Sequence, residues 1–261
     1  MKCYIVDAFA EKIFEGNPAG VCVLDKWISD ELMQNIAIEN NLSETAFTVK
    51  IGHKYHLRWF TPGGEIDLCG HATLATAFIL SNFYDKESVE FRFTTLSGEL
   101  VVIRNNDVYE MNFPSIKIKK YPLTEEMIDA LGGVTPVETH IGRDLVFVLE
   151  NEAQVKELVP DFAKIKSLDE GLAVFVTATS EKFDFVARSF WPKLGVNEDP
   201  VCGSMFCSLI PYWSEKLNQS AMVARQLSKR GGTVYCIDKE ERVQISGTAA
   251  LYSISDLQIN I

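Results

Sequence analysis

The sequence predicts an α+β protein built from two similar lobes. Three observations carry that prediction: a faint internal repeat, two helices that lack a polar face, and strand patterns alternating with helical ones along the chain. The repeat is read from Arg58-Trp59-Phe60-Thr61-Pro62, followed at Cys69-Gly70-His71 by an apolar helical stretch, and from Arg188-Ser189-Phe190-Trp191-Pro192, followed at Cys202-Gly203-Ser204 by another. Two elements recurring in the same order point to a duplicated architecture. Both helical stretches, 72–83 and 205–213, are apolar around nearly their whole circumference, as a helix enclosed by strands must be. Pro211 predicts a kink or an early end in the second.

The remaining elements follow from local pattern. Residues 4–9, 21–24, 45–49 and 55–60 read as strands, and 30–40 has helical spacing. Residues 89–94, 99–104 and 108–113 read as a meander that turns at Asn105-Asn106-Asp107, where side-chain amides and carboxylates favour the bend. The segment 114–122, with a proline at each end, is the expected crossover, which gives lobes at 1–116 and 117–261 with a last strand able to pair back onto the first lobe. Beyond it lie a short helix near 125–131, strands around 145–149, 172–177 and 183–190, the second apolar helix, and strands from Ala221 to the end.

Composition narrows the functional classes. Of 261 residues 47% are hydrophobic, enough for a packed core, and 36 acidic against 25 basic residues give a net charge of −11. That charge repels phosphate backbones and anionic lipid, so neither nucleic acid nor a membrane surface is an expected partner. The longest apolar stretches, near Leu74 and Met205, fall short of the ~20 residues of a spanning helix. Asp7, Glu11 and Lys12 interrupt the apolar start where a secretory signal would need its core, so a cytoplasmic location is expected. Six cysteines and four histidines show no metal-ligand spacing, and no metal is expected. Cys3, Cys22 and Cys236 lie in strand-like runs as buried thiols, which leaves Cys69 and Cys202 to be explained.

Both apolar helices begin at Cys-Gly, and their first N–H groups carry a partial positive charge that has to open somewhere other than into hydrocarbon. A cleft shared by the lobes is the expected place. The N–H groups of Gly70, His71, Gly203 and Ser204 would form anion nests suited to a carboxylate, whereas a phosphate loop would add a lysine or a longer glycine run. The alternative is that Cys-Gly merely begins a buried helix. Glu44 heads a strand, where period-two alternation groups it with Ala46 and Thr48 and places Thr45, Phe47 and Val49 on the other face. A carboxyl in such apolar company can exchange protons near neutral pH. From spacing alone, a solvated Glu closing the turn after the helix is the competing reading.

Phe14-Glu15-Gly16-Asn17-Pro18-Ala19, the segment 41–47, Arg58 to Pro62, Asp67-Leu68-Cys69-Gly70-His71-Ala72-Thr73, Glu198-Asp199-Pro200-Val201-Cys202-Gly203-Ser204, Arg230-Gly231-Gly232 and Ser246-Gly247-Thr248-Ala249 together resemble, in order along the chain, the landmarks of the PhzF family of phenazine-biosynthesis isomerase-like proteins. The resemblance implies a diaminopimelate epimerase-like fold, two pseudo-symmetric lobes each a strand barrel around a central helix, and a homodimer. It implies Glu44 as general acid/base, His71 and Asp199 as partners that orient substrate and help move its proton, and Gly70, Gly203 and Ser204 as binding contacts, with Asn17 and Ser43 at the site edge. The implied chemistry is a proton shift on a small carboxylate-bearing substrate, with no cofactor.

Two positions depart from the family pattern. Cys202 stands where the phenazine enzymes carry threonine, and Met205-Phe206-Cys207 where Ala-His is frequent. Cys69 and Cys202, at equivalent helix starts where thiolate is favoured, resemble the cysteine pair of diaminopimelate epimerases and proline racemases. A two-thiol amino-acid racemase is therefore the alternative enzyme, and a non-catalytic binding or dimerisation protein on the same scaffold is the alternative outside enzymes.

Overall fold

The computed structural model describes residues 1–259, so positions 260 and 261 of the lobe expected over 117–261 lie outside the described residues. The chain begins with β1 (Lys2–Ala8), β2 (Asn17–Leu24), α1 (Asp30–Asn40), β3 (Glu44–Ile51), β4 (Lys54–Thr61), β5 (Gly64–Ile66), α2 (Gly70–Ile79, extended by a π-helical turn over Leu80–Tyr84), β6 (Glu90–Thr95), β7 (Gly98–Asn105) and β8 (Val108–Pro114). It continues with β9 (Lys119–Lys120), α3 (Glu125–Ala130), β10 (Glu138–Ile141), β11 (Leu145–Val148), α4 (Glu152–Glu157), α5 (Phe162–Ser167), β12 (Val174–Thr179), β13 (Phe185–Phe190), α6 (Gly203–Leu217), β14 (Ala221–Gln226), β15 (Gly232–Lys239), β16 (Arg242–Gly247) and β17 (Ala249–Asp256).

These elements form two compact units, Met1–Asn112 with the segment from Ser246 onward, and Phe113–Ile245. The chain leaves the first unit inside β8, before the proline-flanked segment, and returns inside β16, since each of these strands runs unbroken through the division. The C-terminal strand β17 then lies antiparallel along β1, from Lys2 opposite Asp256 to Ala8 opposite Ala249.

The repeat is visible in the ladders. In the first unit the pairings β1–β2, β2–β3, β3–β4, β4–β6 and β6–β7 run antiparallel, parallel, antiparallel, parallel, antiparallel. In the second, β10–β11, β11–β12, β12–β13, β13–β14 and β14–β15 follow the same alternation. The repeated arginines explain why the motif recurs. Arg58 on β4 makes a two-pronged ion pair with Glu65 at 2.6 and 2.7 Å and reaches Asp30 at the start of α1 at 2.8 Å. Arg188 on β13 grips Glu198 at 2.7 and 3.0 Å and donates to the carbonyls of Val155 and Leu158 around the end of α4. Each guanidinium also lies over the ring two residues on, Phe60 or Phe190. A planar five-donor fork can tie three segments at once, which a lysine could not. Here it fastens the loop that leads to the central helix onto the strand before it and onto the preceding crossover.

α2 is packed by β1, β2, β3, β7 and β17. Its polar residues do not need water, because Thr73 donates to the Cys69 carbonyl and Thr76 to that of Ala72. In the second unit α6 lays Phe206 and Trp213 against Phe185 of β13, and the Trp213 indole N–H donates to the Thr177 hydroxyl on β12.

One expectation needs correction. Pro211 does not shorten α6, which continues to Leu217. Proline removes the N–H that would reach the Cys207 carbonyl, and the N–H of Ile116 supplies that bond instead at 2.9 Å. On β3 both faces are covered, and Thr45 to Val49 are all buried. Phe47 and Val49 pack with Met33, Ile36 and Ala37 of α1, while Glu44 on the other face reaches His71 of α2. A strand covered on both sides has no polar face to show. Among the described residues no helix is long and apolar enough to cross a membrane.

Leu74 of α2 is fully buried, so Leu74→Ala is expected to lower unfolding free energy by about 2–5 kcal/mol. The check is a shift of the urea midpoint to lower concentration with an unchanged slope.

Candidate active site

Three backbone devices bring Glu44, His71 and Asn17 together. The loop after β1 is folded back by Asp7, whose carboxylate accepts the Phe14 N–H at 2.8 Å. It then turns through Gly16 at φ +64°, where a Cβ would lie 2.0 Å from the Ala8 carbonyl oxygen. Only glycine fits there, and the next residue is Asn17 at the head of β2, opposite Ala8. β2 and β3 are parallel neighbours with Ala19 beside Glu44, so both strands start at the same end of the sheet. Finally α1 stops at Asn41 in the left-handed region, and the Asn40 amide donates to the Thr45 hydroxyl at 3.1 Å, fixing the strand immediately after Glu44.

α2 starts at the same place. Cys69 is its N-cap residue, without a side-chain capping bond, Gly70 its first residue and His71 its second. The His71 ring is flanked on both nitrogens: Nε2 lies 3.0 Å from Glu44 Oε2, and Nδ1 lies 3.3 Å from Asn17 Nδ2 and 3.5 Å from Cys69 Sγ. Nε2 and Oε2 are close but poorly aligned, so neither buried atom completes a well-directed hydrogen bond. The Glu44 side chain keeps 15% of its surface exposed against 8% for His71, so the carboxylate is the more open end of the pair. Burial works against a charged His71, but the Cys69 sulfur and the Glu44 carboxylate outweigh it, and the imidazole is held well above its ordinary value. Ser43, half-buried, precedes Glu44 in the chain.

The equivalent helix start in the second unit carries different chemistry. Cys202 is again the N-cap residue and Gly203 the first residue of α6, and no atom lies within 4 Å of where a Gly203 Cβ would stand. The Ser204 hydroxyl lies 3.3 Å from Cys202 Sγ and accepts from Arg143 Nη2 at 3.2 Å. Buried Gln226 ties the preceding turn together, accepting from the Cys202 N–H at 2.9 Å and donating to the Asp199 carbonyl at 2.6 Å. The Asp199 N–H in turn donates to the Ser189 carbonyl.

The structure thus gathers Glu44, His71, Asn17 and Cys69 around one helix start, and Asp199, Cys202, Gly203 and Ser204 around the other. Sequence reasoning did not reveal Arg143 or Gln226. Arg143 is paired with buried Asp144 at 2.7 Å and lies 5.6 Å over the Trp191 ring, yet in sequence it is one basic residue in a Gly-Arg-Asp turn. Gln226 ends a strand with no local pattern to distinguish it.

The thiols correct a second expectation. A helix start lowers a thiol only if the sulfur can be solvated or paired there. Cys69 and Cys202 are both buried; burial and the Glu44 charge hold the first above its ordinary value, and burial with Asp199 pushes the second up to about 12. Iodoacetamide at pH 7.5 is therefore expected to alkylate Cys69 and Cys202 of the native protein far more slowly than a free cysteine, as peptide mass mapping would read directly. Labelling at the free-thiol rate would contradict this.

The chain is similar to known proteins over nearly its whole length. The family model described as phenazine biosynthesis-like protein matches residues 6–254. An uncharacterized isomerase of Pseudomonas aeruginosa is 48% identical over 255 residues, 97% of each chain. A crystal structure of a PhzF-family phenazine biosynthesis protein from Enterococcus faecalis superposes with a TM-score of 0.97 at 53% identity, covering 99% of both chains. A probable proline racemase from Agrobacterium radiobacter shares the fold, with a TM-score of 0.66 at 9% identity over 99% of this chain and 93% of its own.

Proposed function

The chain belongs to the phenazine biosynthesis-like (PhzF) family of isomerases, and from that premise we propose that it moves a proton between two carbons of a small carboxylate-bearing metabolite, with Glu44 as the general acid/base. The observation that carries this reading is the mostly buried carboxylate of Glu44 3.0 Å from the buried His71 at the first turn of α2. One carboxyl oxygen faces the imidazole, which leaves the other to take a proton from one carbon and return it to another on the same substrate face. His71 sets the direction of that oxygen and balances the charge that forms on it. Asn17 is a positioning residue acting through His71 Nδ1.

An anionic substrate is supported by Arg143 beside Ser204 at the start of α6, where the helix dipole is also favourable to negative charge. The reading assigns substrate contacts to Gly70, Gly203 and Ser204, an orienting role to Asp199, and the edge of the site to Ser43. A two-thiol racemase is the weaker reading, because both thiols are buried and held protonated at neutral pH. Each would have to lose its proton before it could act as the base on Cα.

The test is a panel of amino acids and cyclic dienoic acids incubated with enzyme in deuterium oxide, scored by deuterium at carbon. Wild-type protein is expected to place label at a migrated double bond. Glu44→Gln should reduce incorporation by roughly 10²–10⁴-fold with an unchanged circular dichroism spectrum, while Cys202→Ala retains it. Incorporation that survives in Glu44→Gln, or inversion at Cα that disappears in Cys202→Ala, would overturn the assignment.

A further inference from the structure

We propose that Cys3 and Cys22 form a redox pair that a peroxide closes into a cross-strand disulfide, locking β1 to β2 around the loop that leads to Asn17. The ladder between these antiparallel strands runs from Ala8 opposite Asn17 to Tyr4 opposite Val21, so its next step sets Cys3 against Cys22. Both side chains belong to one core cluster, with Met33, Ile36 and Ala37 of α1. Opposed residues of an antiparallel pair have Cα atoms ~4.5 or ~5.5 Å apart, and a disulfide spans ~4.4–6.8 Å. The bond therefore asks for side-chain rotation rather than movement of either strand.

The surroundings divide the roles of the two sulfurs. The Cys22 thiol interacts directly with Cys3 and holds it below the ordinary thiol range, against burial and with help from the Asn40 amide, whose Nδ2 lies 3.7 Å from Cys3 Sγ. Cys22 is raised by the same contact and by its own burial. One sulfur is thus the readier nucleophile while its neighbour keeps the proton, the order in which a thiolate attacks first and a resolving thiol follows. Neither cysteine takes part in the reaction proposed for Glu44, and the pair does not depend on that reading.

The chemistry balances with one molecule of hydrogen peroxide. The Cys3 thiolate attacks a peroxide oxygen, the O–O bond breaks, and the departing hydroxide leaves as water with the proton of the thiol, giving a sulfenic acid on Cys3. The Cys22 sulfur then displaces that hydroxyl, the S–O bond breaks, and a second water carries away the Cys22 proton. Together the two sulfurs lose two electrons, which the peroxide gains. Both thiols are buried, so the first step waits on local opening of the N-terminal strand and runs more slowly than at an exposed thiol. The closed ring spans residues 3–22 and includes Gly16 and Asn17, so the unfolded chain loses freedom that the native fold does not use.

The test treats the full, reduced chain with hydrogen peroxide, quenches it by alkylation in denaturant, and maps its peptides by mass spectrometry without reduction. The expected result is a peptide pair joined through Cys3 and Cys22, lighter by two hydrogens than the sum of its reduced parts. The oxidised protein should also show a urea midpoint higher by roughly 0.5–1 M, and dithiothreitol should reverse both changes. Cys22→Ala should give neither the linked peptide nor the rise, with an unchanged circular dichroism spectrum. Recovery of Cys3 and Cys22 as alkylated free thiols, a linkage of either to another cysteine, a urea midpoint that falls on oxidation, or a rise that persists in Cys22→Ala would each overturn the pair. The mapping on the wild-type chain stands by itself should the variant fail to fold.

Discussion

A helix without a polar face can be buried only if strands cover it on every side, and this requirement organises both units. Once α2 is wrapped, the backbone bonds of its middle are satisfied internally, and Thr73 and Thr76 fold their hydroxyls onto its own carbonyls. Only the first turn retains donors that the helix cannot use. Polar side chains therefore gather there: His71 from the helix, Glu44 and Asn17 from the heads of two parallel strands. The site is the place where an otherwise apolar core has to show its polarity.

The duplicated arginine serves that same requirement one step away. Each central helix follows a loop that must bring the chain from the edge of the strands to the start of the helix, and an untethered loop would leave the first turn free to wander. Arg58 with Glu65 and Arg188 with Glu198 fasten the two loops in the same manner. Such partly buried, bidentate pairs hold geometry well even where their net contribution to stability is small. The motif that revealed the repeat in the sequence is thus a support for the site rather than part of its chemistry.

Much of this was legible in the sequence because it is written in local pattern. The enclosed helices follow from the apolar circumference of 72–83 and 205–213 and the unit repeat from R-x-F-x-P, whereas Glu44 stands out only through the resemblance of 41–47 to the family pattern. What was hidden depends on partners distant in the chain. Pro211 reads as a helix breaker until the Ile116 N–H is found on the Cys207 carbonyl. A thiol at a helix start reads as reactive until the neighbours that bury it are known. Gln226 and Arg143 carry no signature at all, since their meaning comes from a turn 24 residues away in one case and from a serine 61 residues away in the other.

The two helix starts show how one scaffold diverges after duplication. Both have a Cys N-cap residue followed by Gly, and from there they part. In the first, the next residue is His71, whose ring is enclosed and matched to a carboxylate, so the group can hold and move a proton. In the second, the next residue is Ser204, whose hydroxyl is paired with a half-exposed arginine and whose surroundings are fixed by a neutral amide. Ser204 cannot exchange a proton near neutral pH, but its hydroxyl has one hydrogen bond to donate. Both central helices start at Cys-Gly, and they differ at the second helical position, a histidine beside a carboxylate in one and a serine bonded to an arginine in the other.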